Sequence, residues 1–192
     1  MRRVTMAILT GMRRAELFAV RWDDVDFKAD VVRVRQTLYW THGSYVKQPK
    51  GEAPYMFVPP KSKTSIREID LSPSLKTELR QRYLVSQKTG LVFSQADGRP
   101  KHPNDFLKRP FARAVKAAGL GKLRFHDLRH SFGSLKLEQG ANIYYVQRQM
   151  GHSSISITID IYGHLLETRK PEEAAKTDAF LFGKAAAASE KG

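Results

Sequence analysis

The chain has 192 residues, 41% hydrophobic and 10% aromatic, with 33 Lys plus Arg against 19 Asp plus Glu and no cysteine. This composition belongs to one globular domain with its own core and excludes a disordered chain. A formal charge of +14 makes a polyanion, nucleic acid first, the expected partner. The missing thiols exclude disulfides and thiolate-held zinc, and fit a reducing, cytoplasmic setting. No apolar run approaches the roughly 20 residues that span a bilayer. The opening "MRRVTMAILTGMRR" lacks the small-residue cleavage site of a signal peptide, so none is expected.

In chain order, residues 3–21 place Val4, Ile8, Leu9, Met12, Leu17 and Val20 at helical spacing, interrupted at Gly11. "WDDVDF" closes that helix with turn-forming carboxylates. "DVVRVRQTLYW" alternates, Val32 and Val34 against Arg33 and Arg35, which predicts a half-buried strand with a basic outer face. The segment 42–54 reads as a connection or insertion, and "YMFVPP" and "SIREIDL" as two more strands joined through "KSKT". Residues 31–71 thus form a small antiparallel sheet. Ser72 as N-cap with Pro73 behind it starts a helix, and "LVFS" is extended before the turn "ADGRP". Helices are predicted over 103–118, 126–139, 142–150 and 155–162, with a last amphipathic piece after Pro171. The fold class is therefore α+β, mostly helical, with a small three-stranded antiparallel sheet. Its domain is 1–182, followed by a loose tail, 183–192.

Three remote segments hold the chemically capable side chains. "TGMRRAELFAVRWDDVD" carries Arg13 beside the glycine break. "FHDLRHSFGSL" carries His126, Arg129 and His130, three or four positions apart and so on one helical face. "MGHSSISITIDIYGHL" carries His152 and Tyr162. Taken alone, the second is a solvated basic face. A zinc site at His126 and His130 lacks both the H-E-x-x-H glutamate and a third ligand at credible spacing. Tyr162 alone, in an isoleucine-rich helix, reads as core.

Together, in this order, the segments resemble the boxes of the tyrosine recombinases, the phage integrase family: T-G-x-R with an acidic residue after it, H-x-x-R, then G-H followed by a tyrosine. The resemblance covers positions 10–164, and the His152-to-Tyr162 spacing suits family members with a similar "GHSSI…YGHL" ending. It implies a catalytic domain that cleaves and rejoins DNA through a 3′-phosphotyrosine, needing neither ATP nor a metal and no other cofactor. Arg13 and Arg129 match the two phosphate-binding arginines. A guanidinium suits that task because its planar fork of donors keeps its charge at neutral pH. Arg14, one position on, points about 100° away around a helix. Tyr162 matches the nucleophile; its phenol, with an ordinary pKa near 10, needs local help to attack.

By the same resemblance His126 has an acid–base role, and His152 bonds the phosphate and steadies the tyrosine. A lysine on the strand-to-strand turn protonates the leaving 5′ oxygen. The turn offers Lys61 and Lys63, and alignment with the following strand favours Lys61. Glu16 is read as orienting Arg13 or His152, Trp22 and Asp24 as packing and turn residues, His130 as a supporting group, and His164 as packing or local hydrogen bonding. The implied partners are double-stranded DNA and further copies of the chain, as a tetramer on two duplexes with the segment after Tyr162 docking on a neighbour. The implied location is the nucleoid of a bacterial or phage-host cell. Only nine residues precede Thr10, so an amino-terminal DNA-binding domain and the first catalytic-domain helix are expected to be missing, and DNA binding to be weak. The rival readings are a type IB topoisomerase-like enzyme and a catalytically silent DNA-binding remnant.

Overall fold

A computed structural model of the chain describes residues 2–41, 53–86, 88–166 and 175–183. Helix α1 (Arg2–Thr10) buries Met6 and Ala7 and stops at Gly11, whose φ of +61° ends the run. A β-carbon at Gly11 would also stand 2.4 Å from the Phe132 ring, so the break needs glycine both for its dihedral and for its space. One further turn, α2 (Arg14–Leu17), follows. Asp24 then caps the 3₁₀ turn Trp22–Asp24 by accepting from the Arg21 N–H at 3.2 Å, with Trp22 buried in the core. Both residues thus pack and turn as expected.

The strands depart from the expected single sheet. The run "DVVRVRQTLYW" divides at Arg35 and Gln36 into β2 (Val31–Val34) and β3 (Thr37–Trp40). The Gln36 side chain donates 2.8 Å to the Ala19 carbonyl at the division, and from there the two halves take different partners. After β1 (Val25–Asp26), β2 pairs antiparallel with both β1 and β5 (Arg67–Asp70), giving a three-stranded sheet ordered β1-β2-β5. β3 pairs instead with β4 (Tyr55–Val58) in a separate two-stranded ribbon. Most of the expected connection, 42–52, lies outside the described residues. Arg33 is not a free outer cation: it is held at 2.9 Å by both Asp26 and Glu68.

The helices that follow start on recognisable caps. Ser72 caps α3 (Pro73–Leu84) through the Leu75 N–H, and His102 Nδ1 caps α4 (Pro103–Phe106) through the Asn104 N–H. Pro110 has no N–H to give and its ring displaces the carbonyl four back. The helix accordingly loosens into a π turn at Leu107–Phe111 before resuming as α5 (Ala112–Ala117). Then come α6 (Asp127–Glu138), α7 (Ile143–Met150), α8 (Ile155–Tyr162) and a helix at 175–183. Nearly all of the expected tail, 184–192, lies outside the described residues. None of the described helices is long and apolar enough to cross a membrane.

Two apolar clusters meet along α6. The larger gathers Met6, Leu17, Phe18, Val32, Ile69, Leu75 and Phe106 from α1 to α4, and takes in Leu128 of α6. The smaller holds Phe132, Leu137, Val146, Met150 and Tyr162 from α6, α7 and α8. Arg129 and Gly133 of α6 are also buried, so the two clusters meet beside polar groups. The candidate site occupies that seam.

Candidate active site

The last carbonyls of a helix have no intrahelical partner. At the end of α7 three successive ones are met by three guanidiniums from three different elements. Arg67 Nε of β5 donates to the Gln149 carbonyl at 2.7 Å, Arg129 Nη2 of α6 to Met150 at 2.7 Å, and Arg13 Nη2, just ahead of α2, to Gly151 at 2.8 Å. Cations at a helix C-terminus also complement its dipole. Gly151 caps the helix at φ +66°. A β-carbon there would stand 2.8 Å from Arg67 Nη1, so the close approach of the cations also depends on this glycine.

Each arginine is fixed by a second bond. Arg129, only 4% exposed, also donates to the Gly11 carbonyl at 2.6 Å, so it ties the break after α1 to the end of α7. Burial, and next the charge of Arg13, draw its pKa down to about 9, which leaves it cationic at neutral pH. Arg13 donates 2.9 Å to Glu16 Oε1, and its backbone N–H donates 2.8 Å to Glu16 Oε2. Arg67 grips the same carboxylate with both Nη atoms, at 3.1 and 2.9 Å. Glu16 is 1% exposed. Burial alone would raise its pKa, but the bonds from Arg67 and then Arg13 outweigh it and hold the pKa below the usual carboxylate value. Glu16 therefore orients Arg13, as expected, and Arg67 in place of His152. Two of the three guanidiniums bond this one carboxylate, and a phosphodiester's negative charge complements the excess positive charge.

The turn at Gly151 delivers His152, which is 8% exposed, with its Nδ1 2.9 Å from the Thr158 hydroxyl. Burial first, then Arg129, Arg13 and Arg67, lower its pKa to about 4. The ring is neutral at pH 7 and can donate a hydrogen bond without adding charge. Ser154 caps α8, which buries two side chains four apart, Thr158 and Tyr162. The isoleucines at 157, 159 and 161 stay exposed, so the tyrosine is the inward residue of an apolar helix. Its ring lies over Gly133, where a β-carbon would come within 2.6 Å of Cζ. Its hydroxyl stands 3.2 Å from His130 Nδ1. Burial raises the phenol's pKa, against the pull of Arg129.

The structure thus brings Arg13, Glu16, Arg129, His152 and Tyr162 together. His126 lies at the start of α6 with its ring edge-on to His130, centroids 4.8 Å apart. Burial, His130 and Arg129 lower its pKa. A cavity of about 1060 Å³ borders Arg13 and His126, and Arg14, Lys116, Arg124, Leu107 and Phe111 also line it. Lys61 is exposed on the β4–β5 connection, and among the described residues no hydrogen bond or ion pair draws it to the site; the Lys63 side chain lies outside the described residues. His164 is exposed in the turn after α8 and does not pack. No cluster of three metal-ligating side chains forms among the described residues.

Sequence reasoning missed Arg67, read only as part of a strand. Its signal was present, because residues 67 and 69 share one face of β5 and Ile69 is fully buried. The Arg67 side chain is 6% exposed. Removing it would leave a buried carboxylate half-partnered, at a cost of about 3–5 kcal/mol.

The sequence profile of the phage integrase family matches residues 3–169. The ICEBs1 integrase of Bacillus subtilis (strain 168) is 30% identical over 189 residues, which is 92% of this chain and 48% of that protein. A tyrosine recombinase XerC-like protein of Caldanaerobacter subterraneus subsp. tengcongensis is 30% identical over 181 residues, 86% of this chain and 45% of that one. The chain spans about half the length of these curated relatives. Among solved structures, the Tn1549 transposon integrase in complex with circular intermediate DNA superposes with a TM-score of 0.68 at 23% identity, over 84% of this chain and 54% of that one. The XerA recombinase superposes at 0.62 and 19% identity, over 88% and 57%. At these identities the superpositions establish the fold.

Proposed function

The chain belongs to the phage integrase family, and from that premise we propose that it is the catalytic domain, residues 1–182, of a site-specific DNA recombinase. One observation carries the reading. Arg13 and Arg129, from segments more than a hundred residues apart, bond adjacent carbonyls at the end of α7 and so stand side by side, with a neutral His152 and Tyr162 packed next to them. Such a group has the charge and donors to bind one DNA phosphate and stabilise the charge that builds on its equatorial oxygens.

In this reading the Tyr162 oxygen attacks phosphorus, the bond to the 5′ oxygen breaks, and the protein becomes joined to a 3′ phosphate. Arg13, Arg129 and His152 hold the phosphate oxygens. His126 serves in proton transfer, and the 5′ oxygen takes its proton from Lys61 on the β4–β5 connection. Attack by another strand's 5′ hydroxyl reverses the step and rejoins DNA, so the ester energy is kept and neither ATP nor a metal is consumed. The basic surface would carry the duplex at the nucleoid. The helix at 175–183 exposes Phe180, Leu181 and Phe182, which suits docking on a neighbouring copy in a tetramer on DNA.

The test is a nicked suicide substrate that loses its 5′ hydroxyl after cleavage and traps the adduct, run at low salt. The wild-type chain is expected to form a covalent DNA adduct, and the Tyr162→Phe chain none. An adduct formed by Tyr162→Phe would refute the nucleophile.

A further inference from the structure

The phenolic proton of Tyr162 must leave as its oxygen bonds to phosphorus, and the receiver has to lie within hydrogen-bond reach. His152 is already committed, since its Nδ1 is engaged at 2.9 Å with Thr158 and its other ring nitrogen is the one that donates to the phosphate in the proposed function. His126 touches His130 edge-on, where it can pass a proton onward from that ring, and among the described residues it is not a hydrogen-bond partner of the Tyr162 hydroxyl. Among the described residues, the imidazole of His130 is the group at the phenol, Nδ1 to hydroxyl oxygen 3.2 Å. It reaches that place because it lies on α6 one turn after His126 and one position beyond Arg129. Gly133, three further on, leaves room for the tyrosine ring.

We propose that His130 is a catalytic residue that accepts the proton of Tyr162 during DNA cleavage, and that it returns the proton on rejoining. The inference rests on the reading of Tyr162 as nucleophile. The tautomer follows from the phenol's own requirement. A buried O–H needs an acceptor, and a neutral His130 can offer one at Nδ1 only if its proton sits on Nε2. The step then balances. The new bond joins the Tyr162 oxygen to phosphorus, the phenolic proton goes to His130 Nδ1, and the bond to the 5′ oxygen breaks. That oxygen is protonated separately by the lysine on the β4–β5 connection. The groups facing His130 are His126 and Asp127 of its own helix, His152 from the turn after α7, and Tyr162 from α8. Only Tyr162 presents it with a reacting atom.

Four measurements on the 192-residue chain test this. With the suicide substrate, His130→Gln should slow adduct formation about 100-fold, the low end for a lost proton acceptor. A ring-fluorinated tyrosine at position 162, whose phenol is more acidic, should restore most of that rate. A substrate with sulfur in place of the bridging 5′ oxygen needs no leaving-group proton and should not. A purely structural role predicts rescue by neither. Independently of turnover, NMR of the imidazole nitrogens should find His130 Nδ1 without a proton at neutral pH. The inference is overturned if adduct formation changes less than about 3-fold in His130→Gln, if sulfur rescues it, if fluorination does not, or if Nδ1 carries the proton. A wild-type chain that forms no adduct would refute the functional reading and this inference with it. An active wild type with an indifferent His130→Gln refutes the inference alone.

Discussion

His152 shows how a residue's surroundings decide its chemistry. In water an imidazole titrates near 6.5, but burial among three arginines draws this one to about 4. Between those values the unfolded chain binds a proton that the folded chain refuses. Stability is therefore complete above about pH 6.5 and falls as the pH drops towards 4, by up to roughly 3 kcal/mol. Urea unfolding at pH 7 and pH 5 should show this loss, and His152→Gln should flatten it. Equal pH dependence in the two proteins would mean that His152 is not held neutral by the fold. Arg67 teaches the reverse lesson about legibility. Arg13 and Arg129 were readable because each sits in a distinctive box, whereas Arg67 sits in "SIREIDL", where an arginine beside a glutamate suggests an outer face. Only the burial of Ile69 on the same face betrays it.

At the scale of elements, α6 and α8 are held together through one missing side chain. Replacing Gly133 by alanine would favour the helix by about 1 kcal/mol on propensity alone. The added carbon would, however, stand 2.6 Å from the Tyr162 ring, and overpacking of this kind costs about 1–3 kcal/mol. The expected result is a Gly133→Ala protein of lower melting temperature in which Tyr162 is displaced and is nitrated quickly by tetranitromethane. In the wild type Tyr162, 2% exposed, should be among the last tyrosines modified. A more stable variant with Tyr162 still protected would contradict the packing described. The same helix shows why residue type alone misleads: α8 turns its isoleucines outward and its tyrosine inward. The order of the helices and the Ser72 cap were legible from periodicity and residue type, whereas the split of "DVVRVRQTLYW" between two sheets was not. A strand's alternation says which face is buried and is silent about which strand will pair with it.

For the whole molecule the governing quantity is charge. With a formal charge of +14 and some acidic side chains engaged in local pairs, such as Asp26 with Arg33 and Asp127 with Arg124, binding to duplex DNA should be dominated by released counterions. If about 5 phosphates are neutralised, log affinity should fall against log salt with a slope near −4 to −5. Filter binding or fluorescence anisotropy across a salt series measures it. A slope near zero would remove DNA as the partner that the charge serves.

The sequence by itself determined the fold class and the order of the helices, and it singled out Arg13, His126, Arg129, His152 and Tyr162 as candidates, because boxes and periodicities are local patterns. Only the tertiary structure decided that Arg67 joins the cations at the end of α7, that Glu16 binds two of them, and that His130 is the imidazole at the Tyr162 hydroxyl. Those facts depend on which carbonyl, carboxylate or ring comes within about 3 Å once four distant segments pack. Sequence spacing carries no such distance.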